Sequence, residues 1–250
     1  MNETIRQKLH ELEAAENIRV LYAAESGSRA WGFASPDSDY DVRFIYVRPT
    51  EAYLSILPRR DVIEWQLDET LDISGWDLQK ALRLLLKSNP TLFEWANSPI
   101  IYRTTPQWEA LRGIINQYFC SKAGMYHYLN MARSNYREYL KGETVRIKKY
   151  LYVLRPILAC RWITARETPP PMLFETLVET ELDPSLCPTV ERLLALKRSQ
   201  PEIGTMLRID ALNEYIESQL TLLGDAVTAL SEEAQPDVAQ LDCFFRSALS

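Results

Sequence analysis

The sequence predicts a mixed α+β fold, in which a sheet with flanking helices is followed by an all-helical C-terminal region. Two observations support this prediction. Up to about residue 104, short apolar or alternating segments typical of strands lie between segments with helical periodicity. Beyond that point strand signals fade and apolar residues recur at helical spacing. We therefore expect two domains, a catalytic one over residues 1–104 and a helical one over residues 105–250.

The first elements alternate between helix and strand. A helix is predicted over residues 3–16, and a buried strand is predicted over Ile18–Ala24 because that segment is largely apolar. Arg29–Phe33 is expected to begin a short helix, and Ser35–Ser38 has the proline and aspartate of a turn. The second strand is predicted over Tyr40–Val47, where the side chains alternate in polarity.

A second pair of strands is predicted next. Val62–Leu67 and Thr70–Ile73 are the strand candidates, and Asp68-Glu69 is the turn between them. Ser74 followed by Asp77 resembles a capping box, which predicts a helix that begins at this point.

Proline marks the remaining helix boundaries. Asn89-Pro90 is expected to end one helix and start another, because proline fits the first position of a helix. Ser98-Pro99 ends that helix, and Thr105-Pro106 opens the first helix of the C-terminal half. Further helices are predicted over residues 122–141, 143–166, 171–180, 188–199, 208–231 and 237–248.

Composition excludes several classes of protein. The 250 residues are 46% hydrophobic and 25% charged, which is ordinary for a globular protein, and no segment is long and apolar enough to span a membrane. The polar N-terminus lacks the apolar core of a secretory signal. The four cysteines are far apart, which predicts isolated thiols and a cytoplasmic location. With only His10 and His127, the chain is poorly supplied for histidine-rich metal sites and histidine-based triads.

Charge is unevenly distributed along this acidic chain, whose net charge is −6. Residues 122–166 contain ten Lys or Arg and two acids, whereas residues 167–191 contain six acids and no base. The basic segment indicates either a local site for an anionic ligand or a set of solvated helix faces.

The most informative motif lies between the first two strands. Gly27-Ser28 forms a turn at a predicted helix start, where backbone N–H groups and a hydroxyl suit phosphate oxygens. Asp39 and Asp41 follow with a spacing of two, and alternate side chains of a strand point to the same face. Such a carboxylate pair is suited to hold Mg²⁺ beside a phosphate. Replacing either aspartate by asparagine is expected to relieve repulsion between the two anions.

Asp72 is the candidate for a third carboxylate. If its strand lies beside the Asp41 strand, three carboxylates could hold two Mg²⁺ ions about 4 Å apart, an arrangement that suits in-line attack at an α-phosphate. Glu64 is the main alternative, and Asp77 is a weaker one because a helix cap already explains it. Arg43 on the same face either contacts substrate or holds an aspartate in place, and Arg29 either contacts phosphate or forms a surface ion pair.

These residues resemble the signature of the DNA polymerase β-like nucleotidyltransferase superfamily, in the bacterial and phage branch associated with RNA repair. The resemblance covers about residues 15–160. It is carried by Gly27-Ser28-Arg29-Ala30-Trp31-Gly32, Ser38-Asp39-Tyr40-Asp41-Val42-Arg43, Gly75-Trp76-Asp77-Leu78, Ser88-Asn89-Pro90, Glu94-Trp95 and Ser98-Pro99.

The resemblance implies a twisted mixed sheet and transfer of a nucleotide from an NTP with Mg²⁺, or Mn²⁺ as a substitute. It implies a two-metal role for Asp39 and Asp41, a less secure one for Asp72, and contact of Gly27 and Ser28 with the β- and γ-phosphates. An RNA 3′-end, such as that of a tRNA, is the expected acceptor. A protein AMP-transferase and a non-catalytic NTP-binding or antitoxin-like protein are the alternatives.

The basic segment contains a further candidate site. Lys148, Tyr152 and Arg155 share a face of the predicted helix, and Lys149 is nearly equivalent to Lys148 because sequence fixes the helix phase only loosely. In related nucleotidyltransferases a helical region after the catalytic domain supplies a lysine to the triphosphate and an aromatic ring to the base or sugar. By analogy, either lysine and Tyr152 are expected to bind the nucleotide in a cleft beside the sheet.

Overall fold

The computed structural model of the chain describes residues 1–57, 59–68, 70–199, 204–231 and 237–249, and for residues 66–68 the backbone alone. The predicted turn at Asp68-Glu69 includes Glu69, which lies outside the described residues.

The strands include all four that the sequence predicts and three short ones that it does not. Their bounds are β1 Arg19–Glu25, β2 Tyr40–Val47, β3 Val62–Asp68, β4 Leu71–Asp77, β5 Ile101–Arg103, β6 Thr144–Arg146 and β7 Thr205–Leu207.

The helices follow the predicted order. Their bounds are α1 Asn2–Glu16, α2 Gly27–Ala30, α3 Thr50–Tyr53, α4 Leu78–Leu86, α5 Pro90–Ala96, α6 Pro106–Arg112, α7 Ser121–Tyr139, α8 Ile147–Arg166, α9 Phe174–Glu181, α10 Cys187–Ser199, α11 Asp210–Ala229 and α12 Val238–Leu249. Two short 3₁₀ helices lie at Ile115–Tyr118 and Pro184–Leu186.

The chain divides into two compact units. The first consists of residues 1–30, 39–118 and 235–250, and the second consists of residues 31–38 and 119–234. The chain therefore leaves the first unit after Ala30 and returns to it at Asp39, between the two halves of the predicted catalytic motif. The assignment of a catalytic and a helical domain on the two sides of residue 104 stays a prediction.

A five-stranded sheet in the order β3-β4-β2-β1-β5 is the centre of the first unit. Strand β2 pairs parallel with β4, and the other pairs are antiparallel. The predicted mixed sheet is confirmed. The parallel pair matters for function because it determines which side chains of β2 and β4 are neighbours.

Apolar side chains on one face of this sheet build the core of the first unit. Val20, Val42, Phe44 and Ile73 are fully buried there. Helix α1 covers this face with Ile5, Leu9 and Leu12, whose spacing of four and three residues places them on one side of the helix.

Side-chain caps explain where three helices of this unit begin. Asn89 and Thr105 accept hydrogen bonds from Thr91 N and Trp108 N, as their positions before proline predict. The predicted capping box at Ser74 is wrong, because Ser74 pairs within β4. Asp77 is itself the N-cap of α4 and accepts a hydrogen bond from Gln79 N.

The second unit contains α7–α11 around the central helix α8, which is buried on most of its sides. The prediction of an all-helical C-terminal region omits one feature. Strands β6 and β7 form a two-stranded antiparallel sheet, so the helix predicted over residues 143–166 begins at Ile147 instead. Three-residue strands are too short to show an alternating pattern, which is why the sequence does not reveal them.

Two expectations from composition agree with the structure. Each of the four cysteines lies in the described part of the chain, and no disulfide joins any two of them. Within the described ranges, the search for a helix with the length and apolarity needed to cross a bilayer finds none.

Gly75 provides a test of sheet packing. It lies opposite Phe44 in the parallel pair, and a Cβ at Gly75 would be 2.2 Å from Cε2 of that buried ring. Because the ring has no free space to move into, we expect Gly75→Ala to lower the free energy of unfolding by about 1–3 kcal/mol. Urea unfolding at neutral pH measures the effect.

Gly113→Ala is the matched control. A Cβ at Gly113 would meet only ordinary contacts, the closest at 3.5 Å from the carbonyl oxygen of Ala110, and the backbone there is helical. We expect unchanged or slightly higher stability for this variant. Equal effects of the two substitutions would show that the Gly75–Phe44 contact is not tight.

Candidate functional site

Asp41 and Asp72 are direct neighbours across the parallel strands β2 and β4. A single nitrogen of Arg43, Nη2, donates to both carboxylates, at 2.9 Å from Oδ1 of Asp41 and 2.8 Å from Oδ2 of Asp72. Of the two interpretations of Arg43, the one in which it holds aspartates is confirmed. The contact also shows that this carboxylate pair has the geometry to share one positive charge.

Gly27 lies against the other oxygen of Asp41. A Cβ at Gly27 would be only 2.0 Å from Asp41 Oδ2, and the residue has a φ of +61°. Glycine is required here for both reasons, since a side chain would collide with the carboxylate and would disfavour this backbone conformation. The start of the Gly27-Ser28 turn and the Asp41 carboxylate are therefore in direct contact, as a shared phosphate and metal site requires. Ser28 is buried in the short helix that follows.

Asp39 lies immediately before β2 and is exposed. Nε of Arg29 donates to the backbone carbonyl of Asp39 at 2.9 Å, and the guanidinium of Arg29 lies 3.8 Å from the centre of the Tyr40 ring. The side chain of Arg29, which belongs to α2, therefore lies against the residues at the start of β2. The predicted contact of Arg29 with phosphate stays a prediction.

The three predicted metal ligands are not gathered into one group. Among the residues that the structure describes, no three His, Cys, Asp or Glu side chains are placed to hold a metal ion together. The fit to a cation therefore rests on the oxygens of Asp41 and Asp72, which are the hard donors that Mg²⁺ prefers. Asp41 and Asp72 side chains are 30% and 46% exposed, which leaves them accessible to such an ion.

The alternatives to Asp72 are less well placed. Glu64 lies one strand further away, opposite Ser74, and pairs with the exposed Arg60. Asp77 is buried as a helix cap and accepts a further hydrogen bond from the Tyr53 hydroxyl at 2.9 Å. Only Asp72 lies in register with Asp41.

A buried carboxyl that the sequence analysis missed supports this site. Glu25 ends β1, is fully buried and accepts hydrogen bonds from Asp41 N at 2.9 Å and from the Tyr102 hydroxyl. Burial raises the pKa of the Glu25 carboxyl above its ordinary value, and the nearby charge of Asp41 acts in the same direction. The sequence did contain a signal for this residue, which is an acidic side chain between an apolar strand and the Ser26-Gly27 turn.

The segment Trp31–Ser38 joins the two halves of the motif and packs within the second unit. Lys197 of α10 is 3% exposed, and its Nζ donates to the Ser35 hydroxyl at 2.7 Å and lies 3.5 Å from that of Ser38. The two hydroxyls are 2.9 Å apart. The turn before Asp39 is therefore fixed by a buried lysine that lies 162 residues from Ser35, which no local pattern could predict.

An aromatic group on α8 contacts the same segment. The rings of Tyr152 and Trp31 meet edge to face, with centroids 5.6 Å apart, and Arg155 stacks on Trp31 at 4.4 Å from its centre. Arg155 is only 3% exposed. The prediction that Arg155 presents charge beside Lys148 and Tyr152 is therefore wrong, because its guanidinium is used in packing.

The two candidate lysines differ in their surroundings. Nζ of Lys149 lies 3.3 Å from the centre of the Tyr139 ring and 5.7 Å from that of Tyr152. Lys148 is half-buried, one turn before Tyr152 on the same helix. Lys148, Lys149 and Tyr152 belong to the second unit, whereas the glycine-serine turn and the aspartates belong to the first. Their assembly around one nucleotide stays a prediction.

The family comparison agrees with the motif. Residues 1–247 match the family described as the RNA repair pathway DNA polymerase beta family. The chain is 46% identical over 244 residues to the protein YcgL of Bacillus subtilis (strain 168), covering 97% of this chain and 94% of that one. It also matches the crystal structure of a nucleotidyltransferase-like protein from Exiguobacterium sibiricum 255-15, at 13% identity and a TM-score of 0.33, over 90% of this chain and 75% of that one.

The buried Glu25 carboxyl predicts a pH dependence of stability. Above the ordinary pKa of 4.5 the unfolded chain loses this proton while the folded protein retains it, so unfolding becomes easier as pH rises toward the folded pKa. Glu25→Gln preserves an acceptor for Asp41 N but cannot ionise. We expect the stability of the unmodified protein relative to Glu25→Gln to fall as pH rises, in urea unfolding from pH 4.5 to 8.

Tyr102→Phe supplies the matched variant. The Tyr102 hydroxyl bond lowers the pKa of Glu25, so its removal is expected to raise that pKa and extend the pH range over which stability falls. A difference between the unmodified protein and Glu25→Gln that does not change with pH would contradict the assignment of a raised pKa.

Proposed function

The chain belongs to the RNA repair pathway DNA polymerase beta family, and on this premise we propose that it moves a nucleoside monophosphate from an NTP to an acceptor hydroxyl. The family makes it a polymerase β-type nucleotidyltransferase. The metal, the acceptor and the roles of individual residues are the parts that we propose.

One observation carries the proposal. The Asp41 carboxylate lies between Arg43, which it shares with Asp72, and the backbone of Gly27. The two carboxylates that bind the guanidinium of Arg43 are thus beside a glycine-serine turn, whose N–H groups and hydroxyl suit phosphate. Nucleotidyl transfer needs both functions at one place, because the incoming triphosphate carries several negative charges.

In the proposed site, different residues would bind the phosphates and the metal ions. Gly27 and Ser28 would hold the β- and γ-phosphates, and Arg29 would neutralise part of their charge. Asp41 and Asp72 would hold Mg²⁺, with Mn²⁺ as a substitute, and the exposed Asp39 side chain would have to turn toward them to join the site. When bound, such ions supply charge neutralisation and a lower pKa for the attacking hydroxyl. Arg43 holds the two carboxylates in place until a metal ion competes with it.

The proposed reaction is an in-line displacement at the α-phosphorus. An acceptor hydroxyl oxygen forms a bond to that phosphorus, and the bond to the oxygen that bridges the α- and β-phosphorus atoms breaks. Pyrophosphate leaves with the electron pair, and the hydroxyl proton passes to solvent. We propose an RNA 3′-end, such as that of a tRNA, as the acceptor, since the description of the family refers to an RNA repair pathway. A cytoplasmic location would supply both NTP and RNA.

Incubation of the purified protein with each α-labelled NTP, Mg²⁺ and either RNA or cell lysate tests this function. We expect the label on RNA and its loss when a chelator removes the metal. Label on a protein band would instead show an AMP-transferase, and binding of NTP without transfer would show a non-catalytic protein.

We expect Asp41→Asn and Asp72→Asn to lower the rate of transfer by about 10²–10³-fold, since each removes a metal-holding charge. Because Arg43 already offsets repulsion at Asp41, the stability of Asp41→Asn should fall by about 1 kcal/mol rather than rise. Glu64→Gln is the control, because it removes an exposed carboxylate of the same sheet. Near-normal transfer by either aspartate variant would reject the metal assignment.

Lys148→Ala and Lys149→Ala test which lysine meets the triphosphate. Replacement of the lysine that binds the triphosphate is expected to raise the Kd for NTP about tenfold, which equals a loss of about 1.4 kcal/mol in binding free energy. The Lys149 ammonium is engaged with the Tyr139 ring, so we expect Lys148→Ala to have the larger effect. Fluorescence titration with a labelled NTP measures both Kd values, and an unchanged Kd in both variants would exclude this helix from the site.

A further inference from the structure

A groove of about 580 Å³ lies between α7 and α11 within the second unit. Helix α7 lines one side with long charged and aromatic side chains. Helix α11 lines the other with apolar, small and hydroxyl-bearing residues. The residues that line the groove are Tyr126, Arg133, Tyr136, Arg137, Lys141, Leu220, Thr221, Gly224, Asp225, Val227 and Thr228.

Three cations form a row along the α7 side. Arg133 and Arg137 lie on successive turns of α7, and Lys141 follows just beyond its end. Their spacing of four residues places the two arginines on one face about 6 Å apart along the axis, since each residue rises 1.5 Å. All three residues are exposed. A row of this kind matches the repeated negative charges of a sugar–phosphate backbone.

Within the described part of the chain, the charges of this row are not offset by paired carboxylates, and Asp225 is the one acid in the lining. Arg133 donates to the carbonyl oxygen of Leu220 at 3.3 Å. A Cβ at Gly224 would lie 2.4 Å from Nη2 of Arg133, so glycine makes the space for this guanidinium.

An aromatic ring lies beside the cations. Tyr126 is 39% exposed in the groove, whereas Tyr128 and Tyr136 of the same helix are buried in the core. The Tyr136 hydroxyl is bound to Glu217 at 2.5 Å, which leaves Tyr126 as the accessible ring. Bases of single-stranded nucleic acid stack on such rings irrespective of sequence.

We infer that the groove between α7 and α11 binds the single-stranded sugar–phosphate backbone of the RNA acceptor. The row of cations would neutralise successive phosphates, and Tyr126 would stack on an unpaired base. This inference rests on the proposed function for the identity of the ligand as an acceptor. The binding itself is measured without NTP or metal, so the two hypotheses fail separately.

The experiment is a fluorescence anisotropy titration of the full chain with a labelled single-stranded RNA of about ten nucleotides, a length within the range of such sites. The test variant is the triple substitution Arg133→Gln, Arg137→Gln and Lys141→Gln. We expect a rise in Kd of at least tenfold. If three phosphate contacts are lost, the slope of log Kd against log salt should fall by about 2.

A matched triple variant controls for net charge. Arg59, Arg83 and Lys87 are exposed cations of the first unit, and their replacement by glutamine removes the same charge elsewhere. We expect a small change in Kd for this control and a normal unfolding curve for both variants. Equal losses of RNA affinity in the two variants would overturn the inference, since they would show a general charge effect.

Tyr126 provides an independent arm. Tyr126→Ala is expected to raise the Kd for RNA about tenfold, whereas Tyr126→Phe retains the ring and should bind normally. If neither the triple variant nor Tyr126→Ala changes the Kd, the groove is not an RNA site, even where labelled RNA product is still formed. If both weaken binding but the unmodified protein transfers no label, the groove stands and the proposed function fails.

Discussion

The parallel pairing of β2 with β4 is the constraint on which the candidate site depends. It sets Asp41 directly opposite Asp72, so that two negative charges are neighbours on one face of the sheet. Such a pair is costly unless a positive charge lies between them. Arg43 supplies that charge, and its guanidinium shows where a cation is stabilised. The same pairing places Glu64 one strand further from Asp41 than Asp72.

The site combines carboxyl groups in opposite environments. Asp41 and Asp72 are partly exposed and share the guanidinium of Arg43. Glu25 is fully buried next to Asp41, and burial raises the pKa of its carboxyl group. The two accessible carboxylates can hold a cation at the surface. The buried Glu25 carboxyl accepts hydrogen bonds from Asp41 N and the Tyr102 hydroxyl, and it thereby fixes the backbone at Asp41.

The segment between the glycine-serine turn and Asp39 lies between the two halves of the candidate motif and belongs to the second unit. It packs within the second unit, where Lys197 holds its serines and the Trp31 ring lies against Arg155 and Tyr152. The helix that carries Lys148 therefore contacts the start of this segment at Trp31, through Tyr152 and Arg155.

The sequence by itself determined the longer elements and the motif, because both are encoded locally. Periodicity predicts the helices and the strand Tyr40–Val47, and the caps at Asn89 and Thr105 are read from single residues before proline. Only the tertiary structure decided that Asp72 faces Asp41, that Glu25 is buried, that Lys197 holds the turn and that Arg155 is unavailable to a ligand. These depend on strand register and on packing between residues far apart in the chain, and no local pattern records either.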